Sequence, residues 1–429
     1  MLLAVGVGGI GLAGCLGRDD TSDEPADDAP DDTSDVGDPA GDEWDVEGSP
    51  LEASFEATVV VENLDVPWDI AFAPDGDVFF TERPGRIRRT SVSDLATETP
   101  LDGTALPEEP IELPALAPDG EGGTLGITVH PAYPDPPFVY AFYTAQEETR
   151  VDRVIRYDAT AGDEGATAID DVETIVDDLP GAVHHNGGRL AFGPDDHLWI
   201  TRGDVSEPDA SQDPGSLVGA LLRVTPDGEP AGADEAPDDA DPMVYSYGHR
   251  NTQGLDWLPD GTPITTDHGP VARDEVIVHD AGNNYGWPTA RGGPDDQDFA
   301  SYDGSGEFAP PLASSGTVDG DGTWAPSGAT WYDDPAIPEL RNRFCFAGLR
   351  SERLHVLTLL DPDDEPPTDA TEVHDDSWLD GRFLAVRHEL LVEEFGRLRH
   401  VAQGPDGELY LLTSREGDAE DVIVRLDPT

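Results

Sequence analysis

Lysine is absent from this 429-residue chain, and all 24 of its basic side chains are arginines. The absence excludes mechanisms that depend on a lysine Schiff base, a P-loop lysine or a lysine nucleophile. The 24 cations face 91 carboxylates, so the formal net charge is −67 at pH 7. Because phosphate contacts need a basic surface, no nucleic-acid partner is expected.

The acidic residues are spread along the whole chain rather than gathered in one block. Such a surface repels itself at low salt, whereas at molar salt the Debye length falls to about 3 Å and screens the repulsion. We interpret the composition as halophilic, an adaptation to salt-rich surroundings. The alternative is an acidic protein whose surface is loaded with calcium.

Cysteine is scarce, with Cys15 and Cys345 as the two examples. Cys15 ends the string LAGC and follows an apolar run from Met1 that is too short for a membrane span. The string resembles a lipobox and predicts that residues 1–15 are a signal peptide ending at a lipidated cysteine. The lack of a basic residue before it favours a start codon further upstream. Cys345 is then left without a partner and is expected to be a buried thiol.

Residues 16–52 are predicted to form an acidic, disordered tether. The part from 19 to 50 holds 14 carboxylates and no basic residue, so it cannot bury enough apolar surface to fold. A self-repelling tether would lift the domain of residues 53–429 off the membrane. This predicts a lipoprotein of haloarchaeal type on the extracellular face, with the lipid anchor as its membrane contact. The alternative is a binding tail.

Strand signals dominate the chain from about residue 56, and long helical periodicity is nearly absent. Short apolar or β-branched runs recur between Gly, Pro, Asp and Asn residues. The runs are Thr58–Val61, Val78–Thr81, Val139–Tyr143, Val154–Tyr157, Leu198–Thr201, Leu221–Val224, Val276–Val278, Leu354–Leu359, Leu409–Thr413 and Val422–Leu426.

One turn pattern repeats ahead of short strands: FAPDGDVFF from Phe72, FGPDDHLWI from Phe192, WLPDGTPIT from Trp257 and QGPDGELYL from Gln403. Proline presets φ, aspartate tolerates the left-handed region and glycine accepts positive φ, so each copy is a turn. A repeated strand–turn–strand unit predicts an all-β, six-bladed β-propeller of four-stranded antiparallel blades, since a blade takes about 40–50 residues. An irregular β-sandwich is the alternative.

Polar motifs outside the strands are the candidates for chemistry, because a propeller brings its loops together around one mouth. The string HHNGGR from His184 places a histidine where it can act as a base near neutral pH. Its two glycines allow a flat ligand to approach the backbone. A histidine on an ordinary surface loop is the alternative.

Two further motifs supply a polar clamp and oxygen ligands. In GHRNTQG, Arg250 offers planar donors and Asn251 a neutral donor and acceptor. In DHGP, Gly269 and Pro270 can present backbone carbonyls to a hard cation such as Ca²⁺. The alternatives are a turn whose arginine pairs with a neighbouring carboxylate and an ordinary acidic loop.

Three more arginines lie near predicted loops. Arg350 follows Gly348, and Arg397 and Arg399 follow Gly396 with the spacing that puts both side chains on one strand face. In a chain with so few cations, this grouping indicates a ligand with several carboxylates.

Five motifs in this order resemble the soluble sugar dehydrogenases that depend on pyrroloquinoline quinone (PQQ), the family of glucose/sorbosone and aldose sugar dehydrogenases. The resemblance runs from Leu64 to Tyr410 and implies a six-bladed propeller. The motifs are EGGTLGITVHP from Glu121, HNGGRLAFGPD from His185, GHRNTQG from Gly248, GNNYGWP from Gly282 and WAPSG from Trp324.

The resemblance implies that His185 is the general base, which takes the proton of the sugar C1 hydroxyl while a hydride passes to PQQ. It implies that Arg250 and Asn251 contact the quinone carbonyls and stabilise developing negative charge. The further residues that it assigns to PQQ are Glu121, Arg350, Arg397 and Arg399. The residues that it assigns to calcium are Gly269 and Pro270, by their carbonyls, and Glu275 and Tyr285, in the region of further calcium sites.

Four positions depart from the family pattern, so the identity of the sugar substrate is not determined. His184 and His400 replace acids, Thr252 replaces a proline, and Arg350 replaces a lysine. The expected activity is oxidation of an aldose to its lactone. Because Cys-x-x-Cys-His is absent, the electrons would pass to an external acceptor.

Two alternatives to this activity remain. The first is a non-enzymatic propeller lipoprotein that binds a sugar or a protein partner. It would not need the set His185, Arg250, Asn251, Arg397 and Arg399. The second is a calcium-dependent lactonase, which would need a cage of carboxylates and asparagines in the central channel.

Overall fold

The computed structural model describes residues 44–97, 99–162, 172–293, 300, 302, 307–316, 322–415 and 420–429. The predicted signal peptide, Cys15 and the predicted tether up to residue 43 lie outside these residues. Within them, no helix combines the length and the apolar character needed to cross a membrane.

The described chain is nearly all β. Its helical segments are α1 (Val92–Leu95) and the 3₁₀ turns Pro50–Glu52, Gly103–Ala105, Ala159–Gly162, Pro208–Gln212 and Pro338–Leu340. Its strands are β1 (Phe55–Leu64), β2 (Pro67–Phe72), β3 (Asp77–Glu82), β4 (Arg86–Ser91), β5 (Leu101–Asp102), β6 (Thr124–Val129), β7 (Phe138–Gln146), β8 (Arg150–Asp158), β9 (Val172–Pro180), β10 (Leu190–Phe192), β11 (Leu198–Thr201), β12 (Ala220–Val224), β13 (Val244–Tyr247), β14 (Thr252–Trp257), β15 (Pro263–Asp267), β16 (Glu275–Val278), β17 (Ala313–Ser314), β18 (Pro326–Tyr332), β19 (Arg343–Gly348), β20 (Arg353–Leu360), β21 (Glu372–His374), β22 (Leu384–Leu390), β23 (Leu398–Gln403), β24 (Leu409–Thr413) and β25 (Asp421–Pro428).

These strands form six sheets, which are the blades of a β-propeller, as predicted. The blades are β2-β3-β4, β6-β7-β8-β9, β10-β11-β12-β13, β14-β15-β16-β17, β18-β19-β20-β22-β21 and β23-β24-β25-β1-β5. The first strand of each blade lies innermost and contacts the first strands of its neighbours. In the sixth blade, β1 pairs with β25 from Phe55↔Pro428 to Leu64↔Asp421. This pairing joins the two ends of the domain and closes the ring.

The ten runs predicted as strands all lie within strands of the structure. The four Pro-Asp repeats are the turns from the innermost to the second strand of the first, third, fourth and sixth blades. Each turn contains one residue with positive φ, namely Gly76, Asp196, Gly261 or Gly407. The repeat therefore marks a conformational requirement of the blade.

Three blades differ from the predicted four strands. The first has three, because Pro107 and Pro110 flank the segment beside β4 and cannot donate ladder hydrogen bonds. The pairing is reduced there to a single bridge between Arg88 and Glu108. The fifth and sixth blades have five strands each. The fifth strand of the sixth blade is β5, which pairs with β1 in parallel.

The apolar faces of the blades pack against each other, and the core is distributed among these contacts. Trp44 is buried between Trp331 and Phe383. Arg343 donates to the carbonyls of Glu47 and Gly48. Residues 44–52, placed in the tether by the sequence, thus pack against the fifth blade. Cys345 is a free, buried thiol, as expected.

Five of the six innermost strands change register near their first residues. The shifts lie between Pro67 and Ile70, Thr124 and Ile127, Thr252 and Gly254, Pro326 and Ala329, and Leu398 and His400. A bulge redirects a side chain and interrupts the alternation of faces. The innermost strands can therefore turn polar residues toward the channel.

Candidate active site

A cavity of about 430 Å³ occupies one end of the central channel. Its lining comes from loops and strand starts in all six blades and consists of Val66, Trp68, Arg83, Gly120, Glu121, His184, Gln253, His268, Ala325, Leu349, Arg397, Arg399, Ser414 and Arg415. The predicted residues Glu121, Arg397 and Arg399 are among them.

Four arginines make this cavity electropositive within a strongly acidic protein. Arg399 is buried and donates to Gln253 Oε1 at 2.9 Å and Ser327 Oγ at 3.3 Å. Burial, with repulsion from Arg83 and Arg397, lowers the pKa of Arg399 to about 9. Among the described lining residues, Glu121 is the one carboxylate. The concentration of cations suits a ligand with several negative charges.

His185 lies beside the cavity, on the loop between the second and third blades, with φ of +61°. Glu121 Oε2 accepts its backbone N–H at 2.8 Å and holds this left-handed conformation. On the ring, Nδ1 is 2.7 Å from Asp204 Oδ1 and Nε2 is 3.1 Å from Arg250 Nη2. A guanidinium can only donate, so Nε2 accepts and Nδ1 carries the proton. This is the tautomer that a base acting through Nε2 requires.

Asp204, which lies in none of the predicted site motifs, orients His185. Burial raises the pKa of its carboxyl, but hydrogen bonds from His185, the Ser206 N–H and Trp287 Nε1 hold the pKa below its ordinary value. The carboxylate is therefore ionised at neutral pH. The available signal was its place three residues beyond the apolar run of β11.

The pair Arg250 and Asn251 is held by one carboxylate. Asp267 accepts the backbone N–H of Arg250 at 2.9 Å and that of Asn251 at 2.6 Å. Asn251 Oδ1 accepts the N–H of Gly187 at 3.2 Å. A Cβ added at Gly203 would lie 2.0 Å from the carbonyl oxygen of His185, so only glycine allows the two loops to meet. The structure thus brings the three predicted catalytic residues together.

A second, smaller cavity lies behind Arg250. Gly269, Pro270 and Glu275 line it, together with Asp267 and Tyr302 among others. Burial and the nearby Asp267 raise the pKa of Glu275 well above its ordinary value. Within the described residues, no group of three or more His, Cys, Asp or Glu side chains is arranged to hold a metal.

Two predicted residues lie away from these cavities. The side chain of Tyr285 turns away from Glu275, because its hydroxyl donates to the carbonyl of Val278 at 2.9 Å. The backbone carbonyl of Tyr285 accepts a hydrogen bond from the Tyr302 hydroxyl, and this hydroxyl oxygen lies 3.4 Å from Glu275 Oε1. Arg350 is exposed and lines neither cavity. Its predicted contact with the cofactor stays a prediction.

The donor set fits the two groups that the resemblance implies. His268 lies between the cavities, and its buried Nε2 has no hydrogen-bond partner among the described residues. Burial lowers the pKa of His268 well below its ordinary value, so the ring is neutral. A free imidazole nitrogen beside several arginines suits a planar ligand with carbonyls and carboxylates. Buried carboxylates that repel each other, beside the Gly269–Pro270 turn, suit a hard cation.

Comparison with known proteins identifies the family of the chain. The sequence model of the glucose/sorbosone dehydrogenase family matches residues 64–424. An uncharacterised protein of Synechocystis is 30% identical over 85% of each chain. The aldose sugar dehydrogenase of Escherichia coli is 27% identical over 84% of this chain and 90% of its own.

The PQQ-bound aldose sugar dehydrogenase of Streptomyces coelicolor superimposes with a TM-score of 0.67 at 32% identity, over 89% of this chain and 99% of that one. The match with the family sequence model covers well over half of the chain. The chain therefore belongs to the glucose/sorbosone dehydrogenase family.

Proposed function

We propose that this protein oxidises an aldose at C1 to its lactone with PQQ as the cofactor and Ca²⁺ as the metal. The observation that carries the proposal is the hydrogen-bonded chain Asp204–His185–Arg250 beside an arginine-lined cavity. Family membership and the PQQ-bound Streptomyces relative support it.

The chain's own residues supply the proton chemistry. His185 Nε2 takes the proton of the C1 hydroxyl, and Asp204 stabilises the imidazolium that forms. In the cofactor-free chain Arg250 Nη2 donates to Nε2, so this nitrogen must be released for the substrate. Bound PQQ supplies the acceptor for the hydride that leaves C1. The C1–H and O–H bonds break, and the C1–O bond becomes a carbonyl.

Binding of the cofactor is assigned to residues from several blades. Arg397 and Arg399 would hold carboxylates, and Arg250 and Asn251 would face the quinone carbonyls. The Gly269 and Pro270 carbonyls would hold Ca²⁺. Glu121 holds the backbone of His185 through Oε2 and also lines the cavity, and its predicted contact with the cofactor stays a prediction.

The cellular setting is part of the proposal. Lipidation at Cys15 would anchor the protein to the extracellular face, in salt-rich surroundings. A separate acceptor would take the electrons, because the sequence carries no haem attachment motif.

A dye-reduction assay tests the function. It is run at about molar salt, because the surface charge of the protein is screened there. Purified protein receives Ca²⁺, a panel of aldoses and an artificial acceptor, with and without PQQ. We expect reduction that needs both PQQ and a sugar. His185→Ala should lower kcat by about 10²–10⁴-fold, the usual contribution of a general base. His197→Ala, in a surface turn, is the matched control.

Two outcomes would contradict the proposal. Full activity in His185→Ala would remove the assignment of the base. Wild-type protein that binds PQQ, as seen by its absorbance, but reduces no dye with any sugar or alcohol would favour the binding propeller.

A further inference from the structure

Trp287 contacts two parts of the candidate site at once. Its indole Nε1 donates to Asp204 Oδ2 at 3.0 Å, on the oxygen that His185 does not use. The Arg250 guanidinium lies 5.4 Å from the centre of its ring, within the range of a cation–π contact. Asp204 and Arg250 are the two partners of the His185 ring.

The surroundings of Trp287 fix its position. Its backbone N–H donates to the carbonyl of Gly248 at 3.0 Å. Its carbonyl accepts Gln212 Nε2 at 2.7 Å, and Gln212 pairs with Asn284. The backbone of Trp287 is therefore held through both of its polar groups, and from it the indole N–H reaches Asp204 Oδ2.

Without the indole donor, Asp204 Oδ2 would lose its hydrogen-bond partner among the described residues. The carboxylate could then rotate about its Cβ–Cγ bond, because Oδ1 alone would hold it through His185 and the Ser206 N–H. The proton on His185 Nδ1 depends on this acceptor. Arg250 also favours this tautomer by donating to Nε2, so a mobile acceptor would weaken the preference and admit a fraction of the other tautomer, in which Nε2 carries the proton and cannot act as a base.

We propose that Trp287 is a positioning residue, which locks Asp204 and Arg250 so that His185 keeps its proton on Nδ1. The inference rests on the proposed function for its meaning, but the tautomer itself is a property of the cofactor-free chain. Outer partners that orient functional histidines in this way change activity by about 10–100-fold when they are removed from metal sites.

The test compares Trp287→Phe, which keeps a ring for Arg250, with wild type. The matched control is Trp257→Phe, since Trp257 Nε1 has no hydrogen-bond partner in the part of the chain that the structure describes and lies at the other end of the channel. In cofactor-free protein at pH 8 and molar salt, ¹⁵N NMR of labelled histidines reports the tautomer. The absence of one signal in His185→Gln assigns His185.

We expect one tautomer, protonated on Nδ1, in wild type and in Trp257→Phe, and a mixture in Trp287→Phe. In the dye assay, kcat of Trp287→Phe should fall about tenfold or more, with KM and the PQQ dissociation constant within about twofold. A packing role alone would lower the unfolding temperature but would not move the tautomer.

An unchanged tautomer in folded Trp287→Phe would overturn the proposal. If Trp287→Phe does not fold, Trp287→His decides, because imidazole retains a ring and an N–H. Wild-type tautomer in that variant supports the role of the donor, whereas a mixture contradicts it. If wild type shows no dehydrogenase activity but Trp287→Phe shifts the tautomer, the proposed function fails and the positioning role stands.

Discussion

The two ends of the central channel differ in charge. The cavity of about 430 Å³ at the candidate site holds four arginines and one carboxylate. The cavity of about 270 Å³ at the opposite end receives residues from all six innermost strands, with Asp69 and Asp256 as its carboxylates. Like charges raise the free energy of the first end, which faces a proposed ligand of opposite charge, whereas the second cavity is lined by Arg189 as well as by its two carboxylates.

A buried ion pair lies between the two ends. Arg189 pairs with Asp69, stacks 4.2 Å from the ring centre of Trp68, and donates through Nε to the carbonyl of Gln253 at 2.9 Å. His400 Nε2 is 3.2 Å from the same carboxylate. Trp68 and Gln253 line the first cavity, whereas Asp69, Arg189 and His400 line the second. The pair therefore supports the floor of the candidate site.

The two ends differ in how their charged side chains are compensated by neighbouring groups. Asp69 has an arginine, so it remains ionised at neutral pH although burial raises its pKa to about 6. Asp256 accepts two backbone N–H groups, from Trp331 and Trp257, but no cation of the described residues pairs with it, and burial raises its pKa to about 6. The arginines of the mouth leave positive charge for a ligand to neutralise.

Breaking the central pair should have the largest effect. Arg189→Met leaves Asp69 as a buried carboxylate that keeps the N–H groups of Ile70 and Ile127 and the ring of His400 but has lost its arginine. We expect the free energy of unfolding at pH 7 to fall by about 3–5 kcal/mol. The loss should be smaller at pH 5, where Asp69 can take up a proton. Denaturant unfolding at molar salt measures both values.

Arg86→Met is the control for that experiment. The Arg86 side chain is 36% exposed and lies 3.6 Å from Asp65 and 3.5 Å from Glu82, and ion pairs of a solvent-exposed arginine contribute about 1 kcal/mol or less. Equal losses in the two variants would show that the central pair does not support the channel.

Neutralising the far end should stabilise the protein. In wild type, the pKa of Asp256 is higher in the folded chain than its ordinary value of 3.8. Stability from this group is thus present below about pH 4 and is lost as the pH rises through 6. Asp256→Asn should raise the free energy of unfolding at pH 7 by up to about 3 kcal/mol, from two pKa units at 1.36 kcal/mol each.

The difference between Asp256→Asn and wild type should vanish below about pH 4, where Asp256 is protonated. Asp260→Asn, in the exposed turn after β14, should follow the wild-type pH dependence of unfolding. A gain that does not change with pH would contradict the charge explanation.

Removing an arginine from the first cavity should have the smallest effect on the free energy of unfolding and a clear effect on PQQ affinity. Arg397→Met is expected to weaken PQQ about 10–100-fold, because a hydrogen bond to a charged group contributes about 1.5–3 kcal/mol. Titration of the PQQ absorbance at fixed salt measures the affinity. Asp256→Asn, at the far end, should bind PQQ as wild type does. Unchanged affinity in Arg397→Met would remove this residue from the cofactor site.

The sequence predicts the outer strands of the blades but not the innermost ones. The ten predicted runs lie in second, third or fourth strands, and none is an innermost strand. Outer strands carry apolar, β-branched runs because they pack between blades. The innermost strands read PWDIAF, TLGITV or LRHVAQ and contain bulges and buried polar residues. Their polar side chains conceal the strand signal.

The sequence likewise indicates some residues of the candidate site and not others. The strings around His185 and Arg250 were recognisable because several functional residues lie together in the sequence. Asp204 and Trp287 carry equally direct contacts with these residues but come from separate loops of the third and fourth blades. Their roles depend on which loops meet at the mouth.

The sequence by itself determined the acidic surface, the repeated turns, the all-β propeller and the family. These properties depend on composition and on local spacing, which the chain carries without its fold. Only the tertiary structure decided which polar residues face the channel, that Arg189 joins Asp69 beneath the site, and that Trp287 holds both partners of His185. Each of these depends on ring closure and register shifts, because they bring together residues far apart in the chain.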